Sequence, residues 1–145
     1  MGFEFSETMS GTVEWDVEPG TRHPFRFDVT ARASSLRDHL FTGLATLRGK
    51  VLAPPKARDA EARGTIVIRP LGRRIIRYEL AFTGDDGERY EIVGQKDIEL
   101  RHLLTTFTTL PAEIVDAHQQ RVGTCLTHFD LRRDGWRFLR SFRPA

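Results

Sequence analysis

Three side chains have the chemistry to hold a polar group in an apolar setting: Lys96, Tyr78 and Tyr90. Lys96 shares an alternating register with Tyr90, Ile92, Gly94 and Ile98, which makes it a cation on the apolar face of a strand. Desolvation there lowers an ammonium pKa and favours an anionic partner. No acidic residue on the same strand face supplies one. A ligand carboxylate would, or the lysine serves as a nucleophile. A strand that ends or bulges near Gly94 instead lets Lys96 reach solvent at a rim. Tyr78 and Tyr90 share a face of two strands that read as paired. Their hydroxyls either order a ligand's polar head or find partners within the protein. Phe27, Leu80 and Ile92 complete the expected apolar lining.

Other reactive residue types lack the spacing that chemistry needs. The histidines at 23, 39, 102, 118 and 128 form no HxH, HExxH or Cys/His cluster, so no metal site is expected. Asp85 and Asp86 lie in a Gly/Asp turn, where their type serves the backbone. Cys125 stands alone in a strand and reads as a small core residue, and a single cysteine excludes an intrachain disulfide. Arg132, Arg133, Arg137, Arg140 and Arg143 make the C-terminal stretch basic. That is a solvated face or a docking surface for an acidic partner.

The elements that would position these groups are strands. Ile76, Tyr78, Leu80 and Phe82 alternate with Arg77 and Glu79, and a second alternating run follows the turn Thr83-Gly-Asp-Asp-Gly-Glu88. Period two around a Gly/Asp turn predicts an antiparallel hairpin over 73–100, expected to be the longest pair in the molecule. Phe3 and Phe5 open a first strand that resumes at Val13, Trp15 and Val17, and Phe25, Phe27 and Val29 mark a second. Residues 34–41 have Ser caps and the Leu36, Leu40, Phe41 spacing of a short helix. Strands are expected over 44–52, 64–71 and 121–131, with 56–63 as a polar loop. Residues 102–110 read as a short helix or a strand, and 111–115 is ambiguous. Trp136, Phe138, Arg140 and Phe142 mark the expected closing strand. Turn signals every 8–14 residues describe a meander, and closure removes its edges. The expected fold is all-β: one domain over 1–145, an antiparallel meander closed as a lipocalin-like β-barrel of eight to ten strands with one or two short helices.

The totals narrow the function. A chain of 145 residues with formal net charge +2 and no basic tract is not a nucleic-acid-binding composition. The N-terminus lacks the basic and apolar regions of a signal peptide, and no apolar run reaches the 18 or so residues of a membrane span. A cytoplasmic protein is expected.

Several short motifs occur in a familiar order: Phe5-Ser-Glu-Thr-Met-Ser-Gly11, Leu47-Arg-Gly-Lys-Val51, Tyr78, Gly87-Glu-Arg-Tyr90, Gly94-Gln-Lys96 and the Thr-rich run 105–110. Together they resemble a β-rich segment, covering roughly residues 3–131 here, of large bacterial proteins related to cholesterol oxidases of the glucose–methanol–choline oxidoreductase group. Those enzymes' flavin-binding glycine motif is absent, so neither the cofactor nor the oxidase activity carries over. The resemblance implies a standalone module working beside a lipid- or sterol-related oxidoreductase as partner protein.

Three functions remain open. The first is a barrel binding a small apolar ligand with a polar head (lipid, sterol or polyketide-like) through Lys96, Tyr78, Tyr90, Phe27, Leu80 and Ile92. The second is a non-catalytic interaction module with a filled core, such as a homodimer. The third is an isomerase, cyclase or hydratase using the same pocket. Interior volume separates the second from the other two.

Overall fold

Alternation of apolar and polar residues places every second side chain on one face, and a long enough meander can curl that face inward. The computed structural model describes residues 3–33, 44–69, 75–97, 109–128 and 143–144. They form nine strands: β1 Phe3–Trp15, β2 Arg22–Ala33, β3 Leu44–Ala53, β4 Ala57–Arg69, β5 Ile75–Thr83, β6 Arg89–Asp97, β7 Thr109–Val115, β8 Arg121–His128 and the two-residue β9 Arg143–Pro144. Each of β1 to β7 pairs antiparallel with the next, β1 also pairs with β8, and β9 adds to β1. The result is a closed eight-stranded, up-and-down barrel. No helix occurs among the described residues.

The barrel has two unlike ends. At one, the turn end, all four connections (16–21, 54–56, 84–88 and 116–120) are tight and described. Gly20 and Gly87 take positive φ there, the conformation that favours glycine. The turns are also knitted together. The Asp85 amide donates to the Lys56 carbonyl at 2.7 Å, the Asp16 amide to the Val122 carbonyl at 2.9 Å, and the Trp15 indole Nε1 to the Pro54 carbonyl at 2.8 Å. The opposite, far end carries the connections that lie outside the described residues.

The core is the inward face. Trp15, Phe25, Phe27, Leu47, Ile66, Leu80, Ile92, Leu110 and Ile114 are essentially fully buried in one cluster. Outward positions are mostly polar or charged, as at Thr8, Ser10, Arg26, Lys50, Glu61 and Arg63. This polarity is the inverse of a lipid-embedded barrel, whose outer face is apolar. Among the described residues no helix is long and apolar enough to cross a membrane. Inward glycines allow close strand approach, at Gly11 on β1 as well as at two positions on β3 and β4. A Cβ on Gly49 would lie against the Asp28 carbonyl oxygen, and one on Gly64 against that of Glu79, so the strands can approach there only without side chains.

The 73–100 hairpin forms over Ile75–Thr83 and Arg89–Asp97, but it is not the longest pair. It matches nine residue pairs, against twelve between β1 and β2. The run Phe3–Trp15 is one continuous strand, which gives that pair its length. The expected loop 56–63 is strand from Ala57 onward. Ala57, Ala60 and Ala62 are its buried positions, and the alternation was masked because alanine carries little apolar signal. The register shift between Val51 and Ala53 further blurs that alternation. The ambiguous stretch 111–115 belongs to β7. Closure comes from β1 on β8. The expected closing strand at 136–142 and the expected helix at 34–41 lie outside the described residues, as does most of 102–110.

Candidate functional site

Antiparallel register decides which inward side chains meet. On β5 and β6, Tyr78 lies opposite Gly94, Leu80 opposite Ile92, Phe82 opposite Tyr90, and Ile76 opposite Lys96. Phe27, Tyr78, Leu80, Tyr90 and Ile92 are all buried in the shared interior. They do not form one polar focus, however. Tyr78 and Tyr90 stand four registers apart, roughly 13 Å along the sheet.

Tyr90 belongs to the turn end. Its ring packs against Phe82 at 5.6 Å and Trp15 at 6.3 Å, and its hydroxyl donates to Asp86 Oδ2 at 2.7 Å. Burial pushes the phenol's pKa up, and the Asp86 bond adds to it. The same bond, helped by the Glu88 amide, holds the Asp86 carboxyl below its ordinary value. Lys56 Nζ sits 3.9 Å from Asp86 and 6.0 Å from the Tyr90 ring centroid. Every polar group of this cluster is already satisfied within the protein, which suits a structural plug.

Tyr78 belongs to the far half. Its ring packs 5.8 Å from Phe27, and its hydroxyl donates to Glu7 Oε1. Burial first, then the Glu7 charge and hydrogen bond, raise the Tyr78 pKa well above the ordinary phenol value. Glu7 reaches the interior because β1 keeps one parity through Glu7, Met9, Val13 and Trp15. Sequence reasoning missed this carboxylate, although the same alternation that runs from Phe3 and Phe5 to Val13 passes through it.

Lys96 lies on β6 with its Cα opposite that of Ile76, one inward position beyond Gly94. Its side chain lies outside the described residues. The fold nonetheless changes its setting. Its own strand face offers no acid, but β1 brings Glu7 into the same half of the barrel.

On the β2 wall, side-chain size falls toward the far end, while Ile76 on β5 and Leu110 on β7 keep bulk there. Along β2 the inward residues run Phe25, Phe27, Val29, Ala31, Ala33, and Ala45 continues the small wall on β3. Cys125 is buried and its thiol pKa is pushed up to about 12 by desolvation, which makes it inert at neutral pH. Thr127, fully buried, donates to the Leu110 carbonyl at 3.1 Å. No group of three metal-ligating side chains occurs among the described residues.

Comparison with protein-family models, curated proteins and solved structures found no match to this chain. The likeness to cholesterol-oxidase-related segments therefore rests on its short motifs.

Proposed function

We propose that the barrel binds a small, largely apolar molecule with a polar head in its far half, above a floor plugged by Trp15, Phe82 and Tyr90. The taper along β2 carries this reading. Side chains shrink from phenylalanine to alanine where Tyr78 and Glu7 set a polar contact into an apolar wall. Small apolar surroundings with one or two convergent polar groups are the usual make-up of a ligand site. In this reading the head group bonds to Tyr78, Glu7 or Lys96, and Phe27, Leu80 and Ile92 contact the apolar body. A lipid, sterol or polyketide-like molecule fits that description.

The aromatic contacts of the turn end favour a second reading, in which the whole core is filled and the protein is a non-catalytic interaction module. Native mass spectrometry of the purified protein separates the two. A discrete added mass lost on gentle activation, together with saturable binding of a fatty alcohol or fatty acid after delipidation, is the expected result. A bare mass and no binding of either probe would leave the filled-core module. Lys96→Met sharpens the assignment of the head. Loss of affinity for the fatty acid but not its methyl ester, by about tenfold or more, makes Lys96 the anchor. Equal affinities would leave the head to Tyr78 and Glu7.

A further inference from the structure

Among the described residues the outer surface holds a groove of about 520 Å³ that the interior reading does not use, across the far halves of β2, β3 and β4. Arg32, Arg48 and Arg63 line it together with Thr30, Thr46 and Glu4. Register explains the convergence. Arg48 lies opposite Arg63, Arg32 opposite Thr46, and Thr30 opposite Arg48. Cross-strand partners stand about 5 Å apart and diagonal ones about 7–8 Å, so three guanidinium-bearing positions crowd one patch.

Several cations elsewhere on the outer face pair with acids, as Arg26 does with Asp28, Lys50 with Asp59, Arg77 with Glu79 and Arg121 with Asp16, while the isolated Arg22, Arg58 and Arg89 do not among the described residues. Arg32, Arg48 and Arg63 make no ion pair among the described residues. Glu4 is the single carboxylate in the lining, so the groove carries a net charge near +2. Like charges placed directly opposite on neighbouring strands destabilise a sheet. Here Arg48 is kept directly opposite Arg63, with Arg32 diagonal to Arg48; the neighbouring acids are Glu4, opposite Arg32, and Glu61, diagonal to Arg48.

We propose that this groove is a binding site for a soluble phosphate-bearing small molecule, with Arg48 and Arg63 clamping one phosphate group and Arg32 reaching a second oxyanion edge. Guanidinium groups match phosphate oxygens in paired, parallel hydrogen bonds. A dianionic group also neutralises the charge that the groove leaves unmatched, which a single carboxylate does not. The site faces outward and is independent of any ligand in the barrel.

The test is isothermal titration calorimetry of the full chain with inorganic pyrophosphate and with phenyl phosphate, alongside acetate. Saturable binding of the phosphates but not acetate is expected, and Arg48→Gln and Arg63→Gln should each weaken it about tenfold. Arg121→Gln, an exposed arginine paired elsewhere, should leave it unchanged. Without ligand, Arg48→Gln should melt at the wild-type temperature or slightly above, because it removes a like-charge contact. Absence of saturable phosphate binding, or an equal loss in Arg121→Gln, would overturn the site. Sedimentation with phosphatidic acid vesicles that pyrophosphate fails to reverse would overturn the soluble ligand in favour of a lipid headgroup.

Discussion

The two ends of this barrel solve the same closure problem with different materials. The turn end uses large rings and short turns whose backbones bond across to one another. Trp15 spans from β1 to the turn after β3, and Tyr90 spans from β6 to its own preceding turn. The far end of the β2–β3 wall uses alanines, and a polar contact sits inside the barrel, where Tyr78 meets Glu7. A buried polar contact costs desolvation that a ring packed on a ring does not. In the proposed reading the first end is specialised for stability and the second for binding.

The sharpest way to break that contrast is at Trp15, which is 1% exposed. Trp15→Ala removes a buried indole and orphans the Pro54 carbonyl. It should lower stability by about 3–5 kcal/mol in denaturant titration. A loss below about 1 kcal/mol would mean the turn end is not the stabilising end.

Enlarging an alanine at each end compares the packing directly. Ala57→Leu at the turn end should cost about 1–3 kcal/mol through overpacking. Ala33→Leu at the far end should cost less, and should displace any bound apolar ligand. Equal costs would favour a core filled throughout.

The polar contact offers a third measurement. Tyr78→Phe leaves Glu7 without that phenol and should cost about 1–2 kcal/mol near neutral pH. The pH dependence has a definite sign. The raised pKa values of Tyr78 and Tyr90 mean the folded state holds its phenol protons more tightly than the unfolded one. That stability is complete below pH 10.0, the ordinary phenol value, and is lost as pH rises through the folded values. Cys125 adds a loss between its ordinary 9.0 and about 12. Chemical denaturation across this alkaline range should therefore show declining stability, and a shallower decline in Tyr78→Phe. An unchanged slope would remove Tyr78 as a contributor.

The smallest effect is expected at Lys56. Its 3.9 Å contact with Asp86 is partly exposed, so Lys56→Met should cost about 0.5 kcal/mol or less. A larger loss would point to its place over the Tyr90 ring rather than to the ion pair.

Legibility in the sequence followed the strength of the apolar signal. The hairpin of β5 and β6 was plain because Ile76, Tyr78, Leu80 and Phe82 contrast sharply with Arg77 and Glu79. The start of β4 was not, because Ala57, Ala60 and Ala62 bury almost no area and look neutral between Arg58, Asp59 and Glu61. Glu7 was hidden for the opposite reason. A charged residue reads as outward even when its parity points in.

Local pattern thus determined the all-β class, the strand pairs joined by tight turns, and the inward orientation of Phe27, Tyr78, Leu80, Tyr90 and Ile92. Side-chain alternation and turn chemistry act over a few residues and need no distant partner. Tertiary structure alone decided that β1 closes onto β8, that Tyr78 meets a carboxylate 71 residues away, and that Arg32, Arg48 and Arg63 share one groove. The first two depend on strands far apart in the chain, and the third on the register of three consecutive strands. Register is set by the packing of the whole inward face, where a slip of one residue would turn every buried side chain to water.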